Sequence, residues 1–223
     1  MAYPHSSKPR LSWALSACIA LAYTALSLAS GLKPSAGLED ASASVFDIHH
    51  WIVETGDHHA LPFIVIDKVQ AQVYVFNAQA QWVDSAPALL GAALGDVSAP
   101  DIGQRALRNI RPFEKTTAAG RFVAALGENL AGEQVLWIDY ASALSLHPLR
   151  SVSAQEHRLE RLTSPTPLDN RISFGCVNVM PAFFDKVVQP VFTHTTGTVY
   201  VLPETRSWPS VFLSPSVRFE PVH

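Results

Sequence analysis

The chain has 223 residues, of which 48% are hydrophobic and 16% are charged, with a formal net charge of −3 at pH 7. This length suits one domain with a sizeable core, and the composition excludes an intrinsically disordered chain. No basic excess is present that would favour binding to nucleic acid. The sixteen Pro and eleven Gly residues favour a β-rich fold with many turns over long helices.

Residues 1–30 are predicted to be a signal peptide or a membrane anchor. Lys8 and Arg10 precede twenty residues that contain no charge. A basic start, an apolar run and small residues at Ser27 and Ala29 are typical of a secretory signal that is cleaved after Ala29. The run is also long enough to span a bilayer if it is retained.

The chain has two cysteines, which are too few for a disulfide framework. Cys18 lies inside the apolar run, where Leu15-Ser-Ala-Cys18 resembles a lipid-attachment motif. Cleavage after Ala29 would leave Cys176 alone in an oxidising compartment. An unpaired thiol is a liability there unless it is buried or used.

Residues 31–60 are predicted to be a linker that contains one short helix. One face of a short helix is predicted from the spacing of Val45, Phe46, Ile48, Trp51 and Ile52. The same segment holds paired histidines and carboxylates, which are residue types that bind zinc: His49, His50, Glu54, Asp57, His58 and His59. No HExxH spacing is present, so the prediction is a solvated helix and no metal site. A metal hydrolase built on these histidines is kept as a weak alternative.

Residues 61–203 are predicted to form one mainly β domain with a few short helices. Apolar, β-branched runs predict strands at 63–67, 73–76, 82–83, 88–90, 121–126, 133–140, 143–147 and 197–202. Helices are predicted at 155–162 and from Pro181 to Val188, since Pro suits a first helical turn. Residues 95–120 are predicted to be mostly loop, and residues 204–223 an irregular tail.

The stretch from Arg171 to Val179 is the most informative part of the chain. A cysteine nucleophile must be a thiolate and must be reachable by a carbonyl group. Gly175 has no side chain, so substrate and backbone can approach Cys176 closely. The backbone N–H groups of Gly175 and Cys176 are candidate donors to the oxyanion of a tetrahedral intermediate.

A cysteine nucleophile also needs a base, and His147 is the best candidate because it ends a predicted strand, where side chains reach a cleft. The alternative for Cys176 is a small buried apolar residue, which is the commoner fate of a cysteine. Chemistry alone leaves both interpretations open.

His147, followed by Ser173-x-Gly175-Cys176-hydrophobic-Asn178, resembles the signature of the L,D-transpeptidase family, the YkuD-like catalytic domain. Ile64–Lys68 with Val73–Phe76 resembles its opening hairpin, and Lys115–Phe122 resembles its Thr-Pro-x-Gly-x-Phe segment. The likeness spans about residues 61–203. It implies a β-sandwich-like domain, which in this chain follows the N-terminal signal or anchor helix predicted from residues 1–30.

The resemblance also implies a function. The family cross-links peptidoglycan, so Cys176 would attack a carbonyl of a tetrapeptide stem and form a thioester, which an amine from a second stem resolves. His147 would be the general base, and Ser173, Phe174, Gly175 and Asn178 would shape the site. No metal or organic cofactor is implied. The partners would be stem peptides, with membrane contact only through residues 1–30, and the location the bacterial envelope or periplasm.

Two features depart from the family pattern. Phe174 stands where the family usually has His, which removes a polar group from the pocket. The separation of His147 and Cys176 is long for the family, so residues 150–170 are predicted to be an insertion beside the site. The insertion is either a lid or a surface loop.

Three functions remain open on these residues. The first is transpeptidation, and the second is a carboxypeptidase or amidase that passes the same thioester to water. Pocket shape and water exclusion decide between these acceptors. The third is a wall-binding module in which Phe174 marks a decayed site.

Overall fold

The structure is a computed structural model that describes residues 1, 38–150 and 154–213. The predicted signal or anchor lies outside this range except for Met1. Within the described residues the strands are β1 (Phe63–Asp67), β2 (Gln72–Phe76), β3 (Trp82–Pro87), β4 (Leu90–Gly91), β5 (Gly120–Glu128), β6 (Gln134–Asp139), β7 (Leu144–Pro148), β8 (Arg171–Ser173), β9 (Val177–Val179) and β10 (Thr196–Val201). The helices are α1 (Ala43–Thr55), α2 (Arg158–Leu162), α3 (Pro181–Phe183), α4 (Gln189–Phe192) and α5 (Trp208–Phe212).

Eight strands form one sheet in the order β3-β2-β1-β10-β5-β6-β7-β9, and β4 pairs with β8 in a small second sheet. Leu89 forms a bridge with Asn178 of β9, so the segment that follows the β3 edge returns to the opposite edge of the large sheet. The sheet therefore curls back on itself. The prediction of a mainly β fold with a few short helices is confirmed.

Each side of the large sheet contributes to a separate apolar cluster. One cluster joins strands from both ends of the sheet to a continuous helical segment made of α3, a π-helical stretch (Phe184–Val188) and α4. The β-branched residues of β1 are buried on both sides, with Ile64 and Ile66 in this cluster and Val65 in the other. A strand buried on both faces lacks polar alternation, which explains the continuous apolar run in the sequence.

Residues 38–60, the described part of the segment predicted to be a linker, belong to the fold. The predicted helix is present as α1, and its Val45, Ile48 and Ile52 are fully buried in the second cluster, beside Phe63 and Tyr200. Ser42 caps the helix by accepting a hydrogen bond from the Val45 N–H at 3.4 Å. Burial of such a stripe stabilises the domain by roughly 1.5–3 kcal/mol for each side chain.

Among residues 38–150 and 154–213, every helix is too short or too polar to span a membrane.

The predicted irregular tail also begins with ordered structure. Glu204 is buried, and α5 packs with Trp208 and Phe212 on the cluster that contains α1. This packing was not predicted, because the segment is rich in proline and polar residues. A single carboxylate that becomes buried has no local sequence pattern. Residues 214–223 lie outside the described range.

A buried network of charged side chains joins the β1–β2 turn to the segment that follows β10. Lys68 is fully buried, and its Nζ lies 2.9 Å from Asp96 Oδ1 and 3.3 Å from Glu204 Oε1. Arg171 donates to Glu204 and to the Lys68 carbonyl, the latter at 2.6 Å. Lys68 Nζ also donates to the Thr117 carbonyl at 2.8 Å. The network therefore supports β8, which precedes Cys176 in the chain, and the segment that contains Thr117.

We expect Asp96 to make folding sensitive to acid. Burial alone would raise the pKa of Asp96, but hydrogen bonds from the Thr205 hydroxyl and the Glu204 N–H, together with Lys68, hold its pKa well below the usual range. An unfolded Asp has a pKa of about 3.9, so the stabilisation is complete above about pH 5 and is lost as pH falls through that value towards the folded pKa. Urea unfolding at pH 7, 5 and 3 measures this effect. Asp96→Asn should be less stable at pH 7, with a difference that shrinks towards pH 3; a difference independent of pH would contradict the assignment.

Candidate active site

Strands β7 and β9 bring the two predicted catalytic segments side by side. They pair in parallel, with Leu146 opposite Val177 and His147 opposite Asn178. Ser145 and His147 lie two residues apart, so their side chains point to the same face, about 6.6 Å apart along the strand. Ser145 accordingly contacts Cys176 and His147 contacts Asn178. The fold thus gathers residues that lie about thirty positions apart.

Cys176 is partly exposed and is held by two contacts. Its Sγ lies 3.4 Å from the Ala143 carbonyl, to which the thiol donates, and 3.6 Å from the Ser145 hydroxyl, which donates to the sulfur. It lines a cavity of about 120 Å³ whose other walls include Ile102, Arg105, Thr116, Ala143 and Phe174. The thiol is therefore reachable from outside rather than enclosed in the core.

The turn before Cys176 is fixed by Ser173. Its hydroxyl donates to the Cys176 carbonyl at 2.6 Å and accepts the Gly175 N–H at 3.0 Å. Gly175 has a φ of +138°, and a Cβ at this position would lie 3.0 Å from the Thr116 carbonyl oxygen. Glycine is required here both for its backbone conformation and for the close approach.

This turn corrects one expectation. The Gly175 N–H points to Ser173 Oγ, so in this geometry it does not face a substrate oxyanion. Gly175 instead shapes the turn, and Ser173 acts on the backbone rather than on a substrate. The sequence could not assign the direction of the N–H group, because that direction depends on the conformation of the turn.

Thr117 is a supporting residue that sequence reasoning missed. Its hydroxyl donates to the Gly175 carbonyl at 2.7 Å and accepts the Gly91 N–H at 2.9 Å. Thr117 is fully buried, and its own carbonyl accepts from Lys68. The surrounding Lys115–Phe122 segment resembles a family segment, but the two partners of the hydroxyl depend on tertiary structure.

We expect Thr117→Val to destabilise the protein by about 1–3 kcal/mol for each buried group left without a partner. Valine keeps the shape of threonine but removes the hydroxyl that joins Gly91 to Gly175. Urea unfolding measures the loss. Thr116→Val is the matched control, because the Thr116 hydroxyl makes no hydrogen bond within the described part of the chain; equal losses in the two variants would contradict the role of Thr117.

His147 is held by hydrogen bonds at both ring nitrogens. Nδ1 donates to the Pro148 carbonyl at 2.9 Å, and Nε2 accepts the side-chain N–H of Asn178 at 3.0 Å. Burial lowers the pKa of His147, and the charges of Arg150 and Arg158 lower it further, against the opposing effects of the Pro148 hydrogen bond and Glu133. The ring is therefore neutral at pH 7, which is the protonation state of a general base.

His147 and Cys176 share a sheet face but are not directly joined. Among the described residues no hydrogen bond connects the two side chains, and His147 is not among those that line the cavity at Cys176. The structure thus brings together Ser145 with Cys176 and His147 with Asn178. For direct transfer of the thiol proton to Nε2, the imidazole must break its hydrogen bond with Asn178 and form one with the Cys176 thiol.

The predicted insertion at residues 150–170 contributes a side chain to the site. Arg158, in α2, donates from Nη1 to Asn178 Oδ1 at 2.9 Å and from Nε to Glu156. The side chain of Arg158 is only 11% exposed. The sequence predicted a solvated charged face here; that prediction is wrong for Arg158, whose partner Asn178 lies twenty residues further along the chain.

Phe174 lines the cavity at Cys176. Lys115 Nζ lies 4.0 Å from the centre of its ring, which is a cation–π contact. An aromatic ring at this position thus brings a positive charge to the wall of the cavity.

In the first pair of histidines near α1, each ring has a partner within the fold. His49 donates from Nε2 to the Ala80 carbonyl at 3.0 Å and stacks on Phe76, whereas His50 lies 3.3 Å from Glu54 on an exposed helix face. In the described ranges no group of three or more His, Cys, Asp or Glu side chains is placed to hold a metal ion.

No protein-family model matches the chain, and no curated protein matches it. Among solved structures, the chain is similar to the L,D-transpeptidase LdtMt1 in complex with imipenem, at 14% identity and a TM-score of 0.35. The match covers 63% of this chain and 58% of that structure. A likeness of this extent carries no argument about activity.

Proposed function

We propose that this protein is an exported, cysteine-dependent acyltransferase of the L,D-transpeptidase type that acts on peptidoglycan stem peptides. The observation that carries the proposal is the partly exposed Cys176 thiol at a cavity, next to a strand that presents a neutral histidine on the same face. The resemblance of the Ser173–Asn178 motif to that family supports the choice of substrate.

In the proposed reaction, Sγ of Cys176 attacks a carbonyl carbon of the donor stem. The thiol proton passes to His147 Nε2 and then to the departing amine of the terminal residue as the C–N bond breaks. A thioester remains on Cys176. An amine of a second stem attacks it, forms the new amide, and returns the proton through His147 to the thiolate.

The residues around Cys176 have definite roles in this scheme. Ser173 and Thr117 hold the turn so that Sγ faces the cavity, and Phe174 forms part of the wall against which the stem packs. The Nδ1–H bond to the Pro148 carbonyl fixes the tautomer that leaves Nε2 as the basic nitrogen. Catalytic hydrogen bonds often tighten only when substrate is bound.

Product analysis with purified muropeptides tests the proposal. Wild-type protein should convert tetrapeptide stems into a cross-linked dimer with release of the terminal residue, and Cys176→Ala should not. Stems that are only trimmed would assign water as the acceptor and a carboxypeptidase activity. Unchanged stems, with folded protein that still binds peptidoglycan, would overturn the enzyme and favour a wall-binding module. Activity that survives Cys176→Ala but is lost with a chelator would assign a metal hydrolase instead.

A further inference from the structure

A chain of hydrogen bonds runs from α2 to the imidazole of His147. Arg158 donates to Asn178 Oδ1 at 2.9 Å, and Asn178 Nδ2 donates to His147 Nε2 at 3.0 Å. Asn178 is 1% exposed, and the Arg158 guanidinium also donates a hydrogen bond to Glu156. Water therefore has little access to replace either bond.

The chemistry of the donors gives this chain one direction. A guanidinium group can only donate, so Arg158 must face the oxygen of the Asn178 amide. The amide nitrogen must then face His147, and it too can only donate. Nε2 therefore has to present a lone pair, and a protonated Nε2 would place two N–H groups against each other.

We propose that Arg158 is a positioning residue that acts through Asn178: by fixing the amide with its N–H group towards His147, it keeps Nε2 of His147 unprotonated. This inference rests on the proposed function, in which His147 is the base. It gives α2 a role in the reaction, because Arg158 of this helix then sets the protonation state of the proposed base.

Other charges near His147 must be separated from this effect. Arg150 and Glu133 form an ion pair whose members both influence the imidazole, Arg150 by disfavouring the cation and Glu133 by favouring it. Glu156 accepts a hydrogen bond from Arg158 itself. The Cys176 thiol lies beside the start of β9, the strand that pairs with β7. Removing Arg158 therefore removes both a nearby positive charge and the orientation of the amide.

Arg150→Gln is the matched control, because it removes one positive charge near His147 and leaves Asn178 held. The measurement is an NMR titration of the histidine ring, with the His147 signal identified by its loss in His147→Asn. We expect Arg158→Gln to raise the pKa of His147, and by more than Arg150→Gln does. Arg158→Lys should stay near the wild-type value, since an ammonium group also faces only the amide oxygen.

Asn178→Asp gives an independent arm in which Arg158 is intact. A carboxylate oxygen facing Nε2 accepts rather than donates, so this change should raise the pKa of His147 and favour the doubly protonated ring. Equal shifts in Arg158→Gln and Arg150→Gln, or an unchanged pKa in Asn178→Asp, would overturn the inference. The titration uses no substrate, so its failure is distinguishable from failure of the muropeptide assay.

Discussion

His147→Ala is expected to slow acylation of Cys176 by about 10²–10⁴-fold at pH 7, the range typical of a lost general base. Without the imidazole, the proposed reaction loses the group that carries the thiol proton to the leaving amine. The fold should survive, because the ring lies at the end of β7 and outside both apolar clusters.

The rate of thioester formation with a stem peptide, followed by intact mass, measures this loss. His194→Ala is the control, since His194 is an exposed histidine beyond α4. Acylation close to the wild-type rate in His147→Ala would show that another group is the base. A comparable loss in His194→Ala would show that the effect is not specific to the site.

Lys68→Met is expected to lower the free energy of unfolding by about 3–5 kcal/mol, as is typical when one partner of a buried ion pair is removed. Methionine fills much of the same volume, but Asp96 and Glu204 keep their negative charges without the ammonium between them. The Thr117 carbonyl also loses a donor. The expected loss is a large fraction of the usual free energy of unfolding of a domain, about 5–15 kcal/mol.

Urea unfolding at pH 7 measures this effect. Arg206→Gln removes a second cation that faces Asp96, at 3.6 Å, but Arg206 is 46% exposed and should cost no more than about 1 kcal/mol. A loss in Lys68→Met as small as that of Arg206→Gln would show that the network contributes little to the fold.

Local patterns were sufficient to predict most of the elements. The apolar, β-branched run at β1 and its neighbour β2 form the predicted hairpin, and the predicted strand at 197–202 is present as β10. Pro181 begins a helix as expected. These features depend on spacing within a few residues, and such spacing can be read directly from the chain.

Contacts between distant segments could not be predicted in this way. The parallel pairing of β7 with β9 decides that Ser145, rather than His147, is the neighbour of Cys176. The roles of Arg158 and Lys68 escape sequence reasoning for the same reason, because a charged residue in a polar stretch looks solvated until its partner is known. The apolar face of α1 could be predicted from residue spacing. The side of the sheet on which this face packs could not.

The most direct test of the central claim, that Cys176 is an accessible nucleophile, is the intact mass of the protein after incubation with a carbapenem. Opening of the β-lactam by the thiol adds the whole molecule to the protein. We predict one covalent adduct in the wild type, located on Cys176 by peptide mapping, and none in Cys176→Ala. Folded wild-type protein that stays unmodified, or an adduct that persists in Cys176→Ala, would contradict the account.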